Sequence, residues 1–237
     1  MSLIKRNAAV VGRKAGVTAP VVSGDPDYGW LYNWHVAAAG GMISGDWRIP
    51  TLAEMTGIIT HLGGWEVAGE KLKSTRTEPA NHPRWDAPNV ANNSSGFTAT
   101  PNGVRHRWNG FYNLGWQFSM WTRTQVGSIR GWSIAMVSGR KDVLAKQTVN
   151  RDGLGLRFLM DKGPFGSDGD TGTAQIWGHS YGWVVIGDYR ILTQNIKTTH
   201  FGFGIEIPLY EDLEDFREAG VNGQMARCAY NNDSNWV

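Results

Sequence analysis

The chain has a single cysteine, Cys228, in 237 residues. One cysteine excludes an internal disulfide framework and any mechanism that needs a pair of active cysteines. No apolar run is long enough to cross a membrane, and the first residues have no apolar segment typical of a secretory signal. The sequence therefore predicts a protein that is made, folded and used without export and without insertion into a membrane.

Groups that could form an active site are scarce and scattered. The 6 histidines include no pair at a metal-ligand spacing such as HxxxH. Cys228 has no predictable activating base and is interpreted as a small buried residue. The acids cluster in residues 206–218, in a pattern typical of a solvated helix face. We therefore expect a protein that is not an enzyme and that carries no cofactor.

The net charge of +2 does not indicate a nucleic-acid partner. Basic residues are concentrated near the start, however, where several precede the first acid, Asp25. The glycines and prolines of residues 1–24 favour an extended arm. This arm is either a solvated tail or an anchor into a larger assembly, for which the candidate contacts are Lys5, Arg6, Arg13 and Lys14.

The chain is rich in glycine and tryptophan, with 31 Gly and 12 Trp, which is typical of short aromatic strands joined by tight turns. Thr51, followed by Glu54 and apolar residues at helical spacing, predicts a capped helix that stops at Gly63-Gly64. The acidic segment 211–220 predicts a second helix. The overall prediction is an α+β fold with an antiparallel sheet, whose strands are expected at 118–124, 131–138, 153–161, 174–178 and 181–187.

Blocks that combine aromatic, glycine and small polar residues follow one another from residue 28 to about residue 161. They are YGWLYNW, WRIPTLAEM, GEKLKST, NNSSGFTATPNGVR, GFYNLG, FSMWTRT and LGLRFLMD. In order and spacing they resemble the Fibrobacter succinogenes major paralogous domain, in which a "WRLPT" run precedes a helix and a "GFSALPGG" turn precedes a "WWSST" strand. The resemblance covers more than half of the chain.

The rest of the chain resembles the beginning of the same family. Members normally begin with segments similar to DGDTGTAQIWG, YGWVVIGDYRILTQNIKTTHFGFG and CAYNND, which here occupy residues 168–233. This inverted order implies a circularly permuted domain, with residues 25–162 as its first part and residues 163–237 as its second. The second part either closes on the first part of the same chain, which we favour, or completes a neighbouring subunit of a homo-oligomer.

The resemblance also implies a fold like that of C-type lectins, in which an irregular loop-rich face binds ligands. Some lectins of this fold bind sugar through calcium. Here the Glu-Pro-Asn and Trp-Asn-Asp motifs of those lectins are incomplete, which makes calcium-dependent sugar binding doubtful. Asp168 and Asp170 are the weak candidates for calcium ligands, and a plain turn before a strand is the favoured interpretation.

The segment RHRWNGFYNLGWQF, residues 105–118, is the strongest candidate for ligand binding. Aromatic and amide side chains between glycines supply stiff stacking area together with adaptable hydrogen bonds. Phe111, Leu114, Phe118 and Trp121 are expected in the core. For most of the other residues, surface and core positions both remain open. The predicted ligand-binding residues are Arg105, Arg107, Trp108, Asn109, Tyr112, Asn113 and Trp116.

Two functions fit these features. The first is a bacteriophage virion protein, a head or tail fibre or decoration protein, assembled in the host cytoplasm. Its arm would contact other virion proteins, and its lectin-like domain would bind a host-surface glycan or protein. The second is a bacterial cell-surface adhesin or lipoprotein domain. An enzyme of the formylglycine-generating type is a weaker third interpretation, because it needs paired cysteines and the chain has Cys228 alone.

Overall fold

The structure is a computed structural model that describes residues 28–39, 45–76, 84–164, 166–201 and 204–232. The arm predicted for residues 1–24, with its basic side chains, lies outside these ranges. Within them, no helix is both long and apolar enough to span a bilayer.

Short strands carry most of the regular structure, and helices are few. The helices are α1 (Trp34–Ala38), α2 (Leu52–His61), α3 (Ala68–Leu72) and α4 (Leu213–Val221). The strands are β1 (Leu31–Tyr32), β2 (Asn102–His106), β3 (Gly110–Leu114), β4 (Gln117–Val126), β5 (Arg130–Val137), β6 (Leu144–Val149), β7 (Leu159–Asp161), β8 (Thr171–Ile176), β9 (His179–Ile186), β10 (Tyr189–Leu192), β11 (His200–Phe201), β12 (Ile205–Glu206) and β13 (Arg227–Cys228).

Two antiparallel sheets organise these strands. β4, β5 and β6 form a three-stranded meander, and a four-stranded sheet has the order β7–β10–β9–β8. In the second sheet β7 comes from the first part of the chain, whereas β8, β9 and β10 follow residue 163. The two parts of the chain therefore share one sheet.

Helix α2 begins where its sequence predicts. The Thr51 side chain accepts a hydrogen bond from the Glu54 main chain, and Glu54 accepts from the main chain of Thr51, which completes a capping box. Its apolar face buries Met55, Ile58 and Ile59. The predicted cap and helix are confirmed.

Buried aromatic and aliphatic side chains from both parts of the chain form one core cluster. Tyr32 and Trp121 of the first part are fully buried there, together with Leu192 and Ile196 of the second part. At about 25 cal/mol per Å² of apolar surface, this shared burial is the main force that holds the two parts together.

The segment that begins at Tyr28 lies between two stretches of the second part. The Tyr32 hydroxyl donates to the Thr198 carbonyl at 2.7 Å, and the Trp30 indole donates to the Lys197 carbonyl at 3.1 Å. On its other side, β1 pairs with β13 and matches Leu31 with Cys228. Residues near the two ends of the described chain thus form one small sheet.

The α+β class predicted from the sequence is confirmed, as are the strands expected at 118–124, 131–138, 174–178 and 181–187. The strand expected at 153–161 is too long, because only Leu159–Asp161 forms one. Residues 153–155 instead bridge to Arg105, Tyr32 and Met120 in turn, so no single partner strand continues. The acidic helix extends one residue past Gly220, and β6 was not expected.

Candidate binding site

Residues 105–118, which the sequence suggested to be a binding loop, form most of a β-hairpin and the start of β4. β2 and β3 pair in register from Asn102 opposite Leu114 to His106 opposite Gly110. Gly110 has φ +73°, a conformation that glycine adopts without steric cost, so the chain can reverse there. The segment is therefore more regular than predicted.

Buried polar contacts fix this hairpin to the rest of the domain. The fully buried Asn102 amide donates to the Ser119 carbonyl at 2.9 Å and accepts from the Ser119 main-chain N–H at 2.8 Å. Arg105 and Gly153 exchange two main-chain hydrogen bonds. Each such bond contributes about 1 kcal/mol, so the hairpin is held rigidly.

A second anchor is the ion pair between Arg107 and Asp152. Nη1 of Arg107 lies 3.1 Å from each carboxylate oxygen, and the Arg107 main-chain N–H donates to Oδ1 at 3.0 Å. The carboxylate is only 10% exposed, so water screens this pair less than a pair on the open surface. Asp152 therefore fixes the end of β2.

Between the hairpin and the β4–β5–β6 sheet lies a cavity of about 460 Å³, a size typical of small-ligand pockets. We call it the hairpin pocket. Both elements contribute side chains to it, and the residues used below to define it are Arg107, Tyr112, Gln117, Arg130, Ser133, Lys146, Thr148 and Asp152.

Amides and hydroxyls are linked in series along the pocket. Asn113 Nδ2 donates to Gln117 Oε1 at 3.1 Å, and Gln117 Nε2 donates to Ser119 Oγ at 2.6 Å. On the neighbouring strands, the hydroxyls of Ser133 and Thr148 lie 2.7 Å apart. Such groups offer both donors and acceptors to a polar ligand.

Tyr112 supplies the aromatic surface of the hairpin pocket. Its ring lies 5.9 Å from that of His106, centroid to centroid. Burial raises the pKa of the Tyr112 hydroxyl; the negative charge of Asp152 also raises this pKa, and Arg107 opposes the shift. The hydroxyl therefore remains a hydrogen-bond donor at neutral pH.

The structure separates the residues predicted to bind ligand. Arg107 and Tyr112 line the hairpin pocket, and Asn113 bonds to its lining residue Gln117. Trp108 and Trp116 are 56% and 41% exposed. Asn109 is exposed at the hairpin turn. The predicted residues thus share one hairpin, but only some of them face the pocket.

Arg105 occupies a different position from a surface binding residue. It is 1% exposed, and its guanidinium donates to the main-chain carbonyls of Tyr210, Glu211 and Asp212 at the start of α4. It also stacks on Phe216 at 4.4 Å. This side chain joins the hairpin to the second part of the chain and is not available to an external ligand.

Sequence reasoning missed the sheet side of the pocket. Arg130, Ser133, Lys146 and Thr148 lie on β5 and β6, where strand register places Ser133 opposite Lys146. The one available signal was the alternation of polar and apolar residues along these strands. Only the packing of the hairpin on the sheet brings them to the same cavity as Tyr112.

The candidate calcium ligands have partners within the chain. Asp168 accepts from His61 Nε2 and from the Gly187 main-chain N–H, both at 2.6 Å. Asp170 accepts from the Ser167 main-chain N–H at 2.8 Å. Among the described residues no group of three or more His, Cys, Asp or Glu side chains could hold a metal ion.

Comparison with known families gives one finding. The family model of the Fibrobacter succinogenes major domain matches residues 14–171, a range that includes the whole hairpin pocket. Comparison with curated proteins and with solved structures gives no significant match.

Proposed function

Since the chain belongs to the Fibrobacter succinogenes major domain family, we propose that it is a non-enzymatic recognition module that holds a polar ligand in the hairpin pocket. The observation that carries this proposal is the pocket itself, where a rigid hairpin and a sheet enclose hydroxyls, amides, cations and one tyrosine. This combination fixes orientation through hydrogen bonds and gives an apolar ring to stack on.

The lack of a suitable nucleophile or base supports a binding role. The only carboxylate that lines the pocket, Asp152, is paired with Arg107. Burial raises the pKa of the Cys228 thiol to about 11, which keeps it in the unreactive protonated form. We therefore propose recognition without catalysis, and no cofactor or metal takes part.

Binding is tested on an array of bacterial-surface saccharides and proteins probed with the full chain. Gln117→Ala removes a lining amide and should weaken binding by about tenfold, the value of roughly one good hydrogen bond. Gln125→Ala is the matched control, since Gln125 is exposed on the same strand and does not line the pocket. Equal binding by the two variants, or no binding by the full chain, would refute the proposal.

We also propose that the domain is C-type-lectin-like and circularly permuted, with residues 25–162 and 163–237 as its two parts. The sheet that both parts share and the β1–β13 pairing support this. A rearranged chain that places residues 163–237 before residues 25–162 should keep the circular dichroism spectrum and the melting temperature. Failure of that chain to fold would contradict the permutation.

As the setting, we propose a bacteriophage particle, in which the arm at residues 1–24 contacts other virion proteins and the pocket meets the host surface. The alternative is a domain of a bacterial cell-surface adhesin or lipoprotein. Immunogold labelling of phage particles and of intact cells from one culture separates the two. Label on particles supports the first setting, and label on cells alone supports the second.

A further inference from the structure

The hairpin pocket has more positive charge than its own residues neutralise. Four cationic residues line it, Arg105, Arg107, Arg130 and Lys146, against the single carboxylate of Asp152. Asp152 is committed to Arg107, and the guanidinium of Arg105 points to the carbonyls before α4. Arg130 and Lys146 remain without a carboxylate.

Arg130 and Lys146 lie on adjacent strands, and both are exposed. Arg130 Nη1 donates to the Gln147 carbonyl at 2.9 Å, which holds the guanidinium along β6. Neither side chain forms an ion pair with any residue in the described parts of the chain. A guanidinium that is already positioned offers its other N–H groups to a planar anion as a fork, and a lysine ammonium adds a point charge beside it.

The remaining lining residues favour a saccharide as the carrier of that anion. Saccharides present many hydroxyls, which the amide of Gln117 and the hydroxyls of Ser133 and Thr148 can match as donors or acceptors. Tyr112 gives an aromatic ring for an apolar sugar face. An enclosed volume of about 460 Å³ suits one or two sugar rings rather than a long polymer backbone.

We infer that the hairpin pocket binds an acidic saccharide, whose carboxylate or sulfate group is held by Arg130 and Lys146. This inference rests on the proposed function, because it assigns a ligand class to the same pocket. A nucleic acid fits less well, since the two cations sit in a pocket instead of forming a stripe along the surface, and the net charge of the chain is only +2.

The test uses the full chain on an array of matched saccharide pairs: uronic acid with the parent hexose, sialylated with asialo, and sulfated with unsulfated. We expect the acidic member of at least one pair to bind at least tenfold more tightly, as for a charge-assisted hydrogen bond. The carboxylate and sulfate pairs show which anion is recognised. Binding should also weaken as salt is raised, because the cations are exposed.

The variants Arg130→Gln and Lys146→Met should each reduce the preference for the acidic member by about tenfold, while binding of the neutral member stays the same. Arg123→Gln is the matched control, because Arg123 is exposed on β4, does not line the pocket and carries the same charge. An equal effect of Arg123→Gln would show a general charge effect and overturn the inference.

The other outcomes are also decisive. Equal binding of acidic and neutral members, with loss in Gln117→Ala, overturns the acidic ligand and leaves the proposed recognition function intact. No saccharide binding at all overturns the acidic ligand, and binding of array proteins then decides the recognition function separately. Competition by a single-stranded oligonucleotide at the same concentration as the acidic saccharide would assign the pocket to anions in general and overturn the inference.

Discussion

The indole of Trp34 fills the space that a side chain on Gly131 would need. A Cβ on Gly131 would lie 2.1 Å from Nε1 of Trp34, well inside van der Waals contact. The same nitrogen donates to the Thr122 carbonyl at 3.0 Å. Helix α1 therefore packs directly on the main chain of β4 and β5, and this requires glycine at position 131.

This contact predicts that Gly131→Ala destabilises the domain. The added methyl group must displace the buried Trp34 ring, and overpacking of this kind costs about 1 to 3 kcal/mol. Urea unfolding followed by tryptophan fluorescence measures the loss. Gly57→Ala is the control: Gly57 is an exposed residue inside α2, its Cβ would meet only Tyr189 at 3.9 Å, and we expect a gain of about 0.5 to 1 kcal/mol.

Arg157 links the two parts of the chain from within the core. Its fully buried guanidinium donates to the carbonyls of Thr98 and Leu192 and, through Nε, to Asn195 Oδ1 at 2.9 Å. The ring of Phe97 lies 4.2 Å away. Burial lowers the pKa of this arginine, but its hydrogen bonds fill the surrounding acceptors.

We expect Arg157→Met to reduce the free energy of unfolding by about 2 to 4 kcal/mol, because buried carbonyls are left without donors. Removal of a buried charge offsets part of this cost. Arg123→Met, at an exposed position, should change stability by less than about 0.5 kcal/mol. An unchanged melting temperature for Arg157→Met would show that these hydrogen bonds contribute little.

Cys228 should be inert in the folded protein. It is completely buried, and burial raises its thiol pKa to about 11, against the opposing charge of Arg105. Because the thiolate is the reactive form, we expect no reaction with Ellman's reagent at pH 8 in native buffer and full reaction in 6 M guanidinium, as in any unfolded chain. Rapid labelling of the native protein would show that the thiol is accessible.

The sequence predicted local features of the fold better than it predicted the pocket. The capping box of Thr51 and Glu54 depends on residues three positions apart, so the pattern alone reveals it. The pocket depends on long-range packing: Arg107 and Asp152 are 45 residues apart, and strand register sets Lys146 opposite Ser133. Arg105 and Arg107 have the same residue type two positions apart, and only tertiary structure separates the buried one from the pocket one.

Lys73 predicts a specific pH dependence of stability. The ammonium is buried, donates to the carbonyls of Val137 and Arg140, and lies 5.1 Å from the centre of the Trp85 ring. Burial lowers its pKa from 10.5 to about 8, although the charges of Asp142 and Glu70 act in the opposite direction. Between about pH 8 and 10.5 the unfolded chain therefore binds more protons at this site than the folded domain does.

As the pH rises through this window, the contribution of Lys73 to stability should increase. Below pH 8 both states carry the charge, and the folded state bears the full cost of burying it. Compared with Lys73→Met, the native sequence should gain about 2 kcal/mol between pH 7.5 and 9.5, at about 1.4 kcal/mol per pH unit. A constant difference between the two proteins over this range would show that the pKa of Lys73 is not lowered.

Closure within one chain makes a prediction about mass in solution. The buried contacts of residues 28–33 with residues 195–198 and 224–228 join the two parts without help from residues 1–24. We therefore expect the chain without residues 1–24 to be a stable monomer by light scattering at all concentrations, while the full chain associates through its arm. If the shortened chain instead forms oligomers, residues 168–232 are donated between subunits, because the same contacts then hold neighbouring chains together.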